Sequence, residues 1–374
     1  MNTIFCPRAD IHLGRLKANF RRLSEQVGNA KVLAVVKADG YGHGIVPVSK
    51  ALVEAGTYGL GIATLQEALE LRKAGLRQMI LHLGRFDPRS LDTFVEEDIR
   101  LSLHSLEDIR ALAAHHEATG SEYAVHMKVD TGMTRLGIPY EAAVAALEEV
   151  KKHPFIRLEG IWTHFATAGE AEQSYLRYQL VRFTHFVHMA RKLHIDVEFF
   201  HAANSSAIFQ DSESHFNMVR PGLVLYGVQP SEDVKTPFEL LPVMDLKAPL
   251  VMVKDIQRGT PIGYGRAYHA PRDMKTGLLQ VGYADGLPLA LSNKGFVRLG
   301  GNVYPIVGRV SMDLCNIDLD GEEPEIGEEA LIWGLSDDPR LRIEYQASAA
   351  GTIPYELLVC IGRRVERRYV NDYP

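Results

Sequence analysis

Apolar residues in the first two-thirds of the chain fall into short continuous runs separated by amphipathic stretches. Residues 32–36 (VLAVV) form the first run and 58–63 (YGLGIA) the second. The series continues at 79–84, 99–105, 123–130, 156–165, 197–204 and 218–227. Most neighbours in the series are separated by helical patterning. After the first run, PVSKALVEAG reads as a helix closed by Gly56. After the second, TLQEALELRKAG starts at Thr64 with Glu67 three residues on, the spacing of a capping box. Eight strand–helix units within about 230 residues predict a closed parallel (β/α)8 TIM-type barrel. A doubly wound open sheet is the competing architecture, with fewer strands and a recognisable nucleotide turn.

Past residue 236 the pattern changes. Stretches such as LKAPLVMVKDIQRG, GLLQVGYADG and GFVRLGGNVYPIVGRVSMDLCNIDL are rich in β-branched residues and glycine. Helical periodicity is confined there to about 343–351. The expected division is a barrel over 1–236 and a mainly antiparallel β domain over 237–374, joined through the proline-containing QPSEDVKTPFELLP at 229–242.

Composition narrows the partners. With 46% hydrophobic and 24% charged residues, the chain has the make-up of a globular protein with a sizeable core. A net charge of −6 gives neither the basic footprint of a nucleic-acid binder nor a polybasic patch for anionic membranes. No run approaches the roughly 20 apolar residues that span a bilayer, and the first residues lack a signal-peptide apolar region. Cys6, Cys315 and Cys360 are odd in number and widely spaced, so they form neither a disulfide framework nor a metal cluster. A cytoplasmic location is the expectation.

In a (β/α)8 barrel, chemistry collects at the C-terminal ends of the strands. Lys37 follows the first run, Arg135 the fifth, His164 ends the sixth, Asn204 and Ser205 end the seventh, and Arg220 lies in the eighth. Each has an ordinary explanation. A lysine after a strand is commonly solvated or ion-paired, His164 could be a satisfied core histidine, Asn204 and Ser205 could cap a helix, and both arginines could form surface pairs. Their convergence on one rim favours function. A lysine at an apolar barrel mouth is partly desolvated, which favours the free amine able to form a Schiff base with an aldehyde, including pyridoxal phosphate. The turn DGYGHG (39–44) fits neither the dinucleotide nor the phosphate-loop pattern. It reads either as a plain tight turn or as a close backbone approach to a ligand, with Tyr41 offering its hydroxyl to a phosphate. His, Cys, Asp and Glu show no metal-ligand spacing.

VVKADGYGHG resembles the cofactor-lysine motif of the alanine racemase family. The resemblance continues in order through KVDTGMTRLG, HFATA, HAANSSA, RPGLVLYG, IGYGRAY, GYADG, GRVSMDL and IPYELLV, from residue 35 to 359. It implies a barrel followed by a β domain, and pyridoxal 5'-phosphate as a covalent aldimine at Lys37. Tyr264 becomes the second acid–base, reaching the site of a partner subunit in a homodimer with shared active sites. Arg135 would bind the substrate carboxylate and the cofactor's phenolic oxygen, and Met312 would touch substrate across the interface. Arg220 would face the pyridine nitrogen with His164 behind it. Tyr41, Ser205, Gly222, Leu223 and Tyr355 would cradle the phosphate, with Asn204 adjacent. Lys128 matches a lysine carbamylated in many members.

The implied activity is L-alanine/D-alanine racemisation by a two-base mechanism, supplying D-alanine for peptidoglycan. Alternatives are a broader serine/alanine racemase, a related amino-acid decarboxylase, or a non-catalytic cofactor carrier. The decarboxylases carry a reactive cysteine in a context such as Cys-Glu-Ser, which Cys315 (LCN) and Cys360 (VCI) do not match. One departure stands out: after GYADG the family often has an arginine near the entrance, where this chain reads LPLALS with Leu287 and Leu289.

Overall fold

The computed structural model describes residues 5–371. The eight expected barrel strands form, all parallel: Lys31–Val35, Gly59–Ile62, Met79–His82, Ile99–Leu103, Tyr123–Asp130, Ile156–Trp162, Phe199–His201 and Met218–Val219. The last pairs with the first, and the Arg220 amide donates to the Ala203 carbonyl (2.9 Å) to complete the ring. Val32, Leu33, Ala34, Val35 and Val36 are buried throughout, as a strand covered on both faces must be. The seventh and eighth runs contribute less strand than their apolar length suggested. The backbone past Val219 leaves the ladder for a single-turn helix at Leu223–Tyr226.

Helix caps follow the sequence signals. Thr64 accepts from the Glu67 amide while Glu67 accepts from the Thr64 amide, opening the helix Leu65–Lys73. Ser105 and Asp108 repeat the device before Leu106–Thr119.

Among the described residues the second sheet has eight strands, antiparallel apart from its edge pair. Its long central strand, Met244–Ile256, carries a bulge at Leu250/Met252 and pairs on two sides. Two features depart from the sequence reading. The first strand, Arg8–His12, lies in this sheet rather than with the barrel, between Met244–Ile256 and Glu366–Val370. A second helix, Pro354–Val359, follows the expected one at Ile343–Ala350; at six residues it is too short to show periodicity. Strands from early and late in the chain, Arg8–His12 and Glu366–Val370, therefore meet in one sheet. Asp10 fixes the junction, accepting from Lys247 (2.8 Å), Arg368 (2.8 Å) and Arg8 (3.1 Å), and these cations hold its carboxyl below the usual range against the opposing effect of burial.

Asn19, on the helix Leu13–Val27, ties that helix to the crossing between the two units. Its amide donates to the Leu225 and Leu241 carbonyls (3.1 and 2.8 Å), and its oxygen accepts from the Leu241 amide (3.0 Å). Asn19→Ala leaves those buried backbone groups without partners, so chemical denaturation should show a loss of about 2–4 kcal/mol. Asn19→Asp, whose carboxylate would face the Leu225 and Leu241 carbonyls in a buried site, should lose at least as much.

Candidate active site

Lys37, Arg135, His164, Asn204, Ser205 and Arg220, drawn from five different strand ends, line one cavity of about 800 Å³ at the barrel mouth. Tyr41, Lys128, Gly222 and Tyr355 share its wall. Tyr355 comes from the helix Pro354–Val359, so the second domain closes part of the cavity in its own chain.

Lys37 opens an unusual turn. Ala38, Asp39, Gly40 and Tyr41 all have left-handed backbone (φ 53°, 53°, 60° and 53°). For three residues with a Cβ this costs on the order of 1 kcal/mol each. The turn is held by the Glu67 carboxylate, which accepts from the amides of Ala38 (2.6 Å), Ala63 (2.8 Å) and Thr64 (3.1 Å), and by Asp39, which accepts from the Ile45 amide (2.8 Å). The capping residue found in the sequence thus also pins the lysine turn. The glycines serve a purpose other than ligand approach. A Cβ on Gly42 would overlap the Leu358 carbonyl oxygen, and one on Gly44 the Tyr369 hydroxyl. They admit the second domain against the turn. Burial, reinforced by Arg135, lowers the Lys37 pKa and favours the free amine.

The floor is rich in cations. Arg220 is fully buried and has no carboxylate partner among the described residues. Its guanidinium donates to the carbonyls of Thr163 (2.6 Å), His201 (2.7 Å) and Ala202 (2.9 Å) and to His201 Nδ1 (3.0 Å), with His164 Nδ1 at 3.4 Å. Burial pulls its pKa down to about 9. Trp162 lies beside two of these groups, its ring centroid 4.9 Å from the guanidinium carbon of Arg220 and 4.7 Å from Lys128 Nζ. Lys128 is lowered to about 7 by burial and then by Arg135 and Arg220. His164 is pushed well below its ordinary value by burial and by Arg220. Arg135 is aimed by the preceding loop, where Asp130 Oδ1 gathers the amides of Gly132, Met133 and Thr134 (2.9, 2.9 and 3.1 Å).

Ser205 Oγ accepts from the Gly222 amide (3.0 Å). A Cβ on Gly222 would overlap the Tyr41 hydroxyl, so the glycine leaves a small hydroxyl-lined recess. Tyr41 is braced by a stack on Tyr226 (4.7 Å between centroids) and by Tyr355 (6.0 Å). Asn204 lines the cavity and also accepts from the Ala207 amide (3.1 Å), the capping role allowed by the sequence. Against Lys37, Lys128, Arg135 and Arg220, the described lining offers one carboxylate, Glu356. This surplus fits an anionic occupant that also carries an electrophilic carbon for an amine. Pyridoxal phosphate, with its phosphate, phenolate and aldehyde, meets both requirements.

Three expected residues lie elsewhere in the single chain. Leu223 is buried in the core just past Gly222, away from the cavity lining. Tyr264 (70% exposed) and Met312 (52%) stand on the surface of the second domain. Leu287 is fully buried and Leu289 is half exposed, so neither replaces an entrance arginine electrostatically. Trp162, His201 and Glu356 escaped the sequence reading. Trp162 sits two residues before His164, where the strand-end rule points. Glu356 lies on the helix that was too short to see.

A parallel barrel presenting a desolvated lysine amine in a cationic cavity, partly closed by an appended β domain, fits one class: an enzyme fold able to hold an anionic aldehyde cofactor on an amine. Comparison with known proteins specifies it. The model of the alanine racemase N-terminal domain matches residues 11–230, and that of the C-terminal domain matches 243–369. An alanine racemase from Desulforamulus reducens is 40% identical over 367 residues, covering 97% of this chain and 98% of its own. One from Methanococcus maripaludis is 39% identical over 368 residues, with 97% and 98% coverage. Among solved structures, an alanine racemase from Streptomyces coelicolor A3(2) superposes with a TM-score of 0.92 at 38% identity, covering 98% of each chain. One from Bartonella henselae, with covalently bound pyridoxal phosphate, gives 0.87 at 30% identity, covering 98% of this chain and 99% of that one. The chain belongs to the alanine racemase family, pyridoxal-phosphate-dependent isomerases acting on amino acids.

The Lys128 site carries a pH signature. Its pKa falls from 10.5 to about 7 on folding, so between those values the unfolded chain binds more protons and stability rises with pH. In carbon-dioxide-free buffer, the unfolding free energy of the wild type should increase from pH 7 towards 10 relative to Lys128→Met. Parallel curves for the two proteins would refute the assignment.

Proposed function

We propose that the protein interconverts L-alanine and D-alanine, with pyridoxal 5'-phosphate attached at Lys37 and with Lys37 and Tyr264 as the two acid–base groups. The observation that carries this reading is the pairing, in one cavity, of a lysine biased towards the free amine with a cation surplus that an anionic ligand would offset.

When bound, the cofactor withdraws electrons from the substrate Cα and acidifies its C–H bond. The chain's own groups then handle the proton. Lys37, uncharged once free, can take it. Inversion requires that the proton be returned from the other side, which one base cannot do, and Tyr264 is the second base. Arg135 holds the substrate carboxylate, and Lys128, as a carbamate, would place an anion beside Arg135 to orient it. Met312 completes the substrate pocket. Tyr41, Ser205, Gly222, Leu223 and Tyr355 receive the phosphate, the Leu223 contribution being its backbone, with Asn204 adjacent. Arg220, backed by His164, remains protonated at neutral pH and can only donate. A ring nitrogen facing it must accept, which limits delocalisation and disfavours transamination.

The division of labour we propose keeps the expected bounds, 1–236 and 237–374, except that Arg8–His12 belongs with the second unit: a barrel bearing the cofactor lysine and a β domain serving a second copy's site. It is supported by Tyr264 and Met312 lying exposed and outside the cavity of their own chain, and by Ile353 (57% exposed) and Val359 (44%) forming an apolar rim at its mouth. Supply of D-alanine for peptidoglycan in the cytoplasm is the matching role. Among the described residues no helix is long and apolar enough to cross a membrane, and Cys6, Cys315 and Cys360 are free thiols. Cys315 is buried, with its pKa pushed up to about 12, which makes it unsuited to the reactive role of a decarboxylase cysteine.

Subunit complementation tests the reading. Lys37→Ala and Tyr264→Ala should each abolish racemisation of L-alanine. Unfolded and refolded together, they should regain about a quarter of wild-type activity, because half the random dimers are mixed and each of those holds one intact site. No regain would refute shared sites. Failure of the wild type to form D-alanine, or release of carbon dioxide instead, would refute the activity. For Tyr264→Phe, solvent deuterium exchange at Cα should fall much further from one enantiomer than from the other.

A further inference from the structure

Below the cavity floor, the barrel interior holds a line of imidazoles that the reaction does not use. Arg220 Nη1 lies 3.0 Å from His201 Nδ1, and His201 Nε2 lies 2.8 Å from His126 Nδ1. His126 Nε2 then faces the Glu159 carboxylate at 3.9 Å. Both rings are completely buried. At the far end, Glu159 is paired with Arg100 (3.1 Å) and with Arg157. His126 and Lys128 are two residues apart on the strand Tyr123–Asp130 and share its inward face.

The direction of every hydrogen bond in this line follows from its first member. A guanidinium has donors only, so His201 Nδ1 must present its lone pair and the His201 proton must sit on Nε2. That proton is donated to His126, whose Nδ1 must therefore be bare and whose own proton lies on Nε2, towards Glu159. Protonating either ring would set two N–H groups against each other across a contact of 3.0 Å or less. Burial opposes protonation of both rings as well.

The sheet is altered to admit this arrangement. The pairing between Tyr123–Asp130 and Ile156–Trp162 shifts register between Val125 and His126. Opposite the ring stands Gly160, where a Cβ would overlap His126 Nδ1. A bulge and a missing side chain at the same spot mark a ring that the strands make room for.

We infer that His126 is a positioning residue for Arg220, acting through His201: by accepting the His201 Nε2 proton it supports the tautomer and ring orientation in which His201 accepts from the guanidinium. This rests on the reading that Arg220 faces the cofactor ring nitrogen. With the acceptor at residue 126 removed, the buried His201 Nε2–H has no partner, so the tautomer that Arg220 requires loses its support and the ring can turn away from the guanidinium.

Neutron diffraction from the holoenzyme in heavy water tests the arrangement without any substitution. A deuteron on Nε2 of both His126 and His201 is expected, and a deuteron on Nδ1 of His201 overturns the proposal. In the His126→Leu holoenzyme, kcat should fall about tenfold with KM within about twofold, as when one oriented hydrogen bond is lost, and the absorption band of the bound cofactor should shift. His126→Asn, whose amide oxygen can accept from His201, should restore the band and most of kcat. A purely structural role would lower thermal stability in both variants and leave the band in place, and that result also overturns the proposal. Racemisation by the unaltered enzyme, measured in parallel, separates this outcome from failure of the functional reading: the deuteron positions do not depend on turnover.

Discussion

A guanidinium buried at the cavity floor, with no carboxylate beside it among the described residues, is the constraint around which the site is organised. Arg220 is satisfied by three backbone carbonyls, one imidazole nitrogen and the neighbouring Trp162 ring. Carbonyl dipoles and an aromatic ring stabilise the cation without neutralising it, so the positive potential persists into the cavity. Its neighbours register that potential. On top of burial, it helps hold His164 neutral and displace Lys128 towards its uncharged form, while Lys37 is displaced the same way by burial and Arg135. An anionic ligand is favoured for the same reason that a second cation is disfavoured. The basic residues at the barrel mouth thus form one electrostatic unit, in which the cost of burying cations becomes affinity for a phosphate-bearing aldehyde.

The second domain is part of this unit. Its helix Pro354–Val359 brings Tyr355 and Glu356 to the cavity wall, while Leu358 and Tyr369 press on Gly42 and Gly44 in the turn after Lys37. Arg367 bridges the contact, donating to the Gly42 carbonyl at 3.4 Å and to the carbonyls of Ile361 and Gly362 at 2.8 and 2.6 Å. A left-handed turn of non-glycine residues persists only where its surroundings over-determine it. Here the surroundings are Glu67 on one side and the C-terminal domain on the other. The lysine is presented rigidly because both halves of the chain hold its turn.

Much of this was legible from residue order. Eight apolar runs at regular spacing gave the barrel, since strands buried on both faces must be continuously apolar. The rule that chemistry sits at strand ends brought Lys37, Arg135, His164, Asn204, Ser205 and Arg220 to one rim, and all six line one cavity. The Thr64–Glu67 box was readable because a cap is a local interaction between residues three apart. Tyr264 and Met312 could be matched to a family but not to a cavity, because within one chain they are exposed surface residues.

What the sequence determined by itself was therefore whatever depends on near neighbours: periodicity, caps, strand ends and the lysine's place after a buried run. The tertiary structure decided what depends on distant partners. That Arg8–His12 joins the far sheet, that Gly42 and Gly44 make room for a domain rather than a phosphate, and that His126 lines up with His201 and Arg220 are facts about residues 75 to more than 300 positions apart. Their physical reason is steric and directional. A missing Cβ or a ring nitrogen's lone pair acquires meaning only from the atom placed opposite it, and in this fold that atom comes from another strand or another domain.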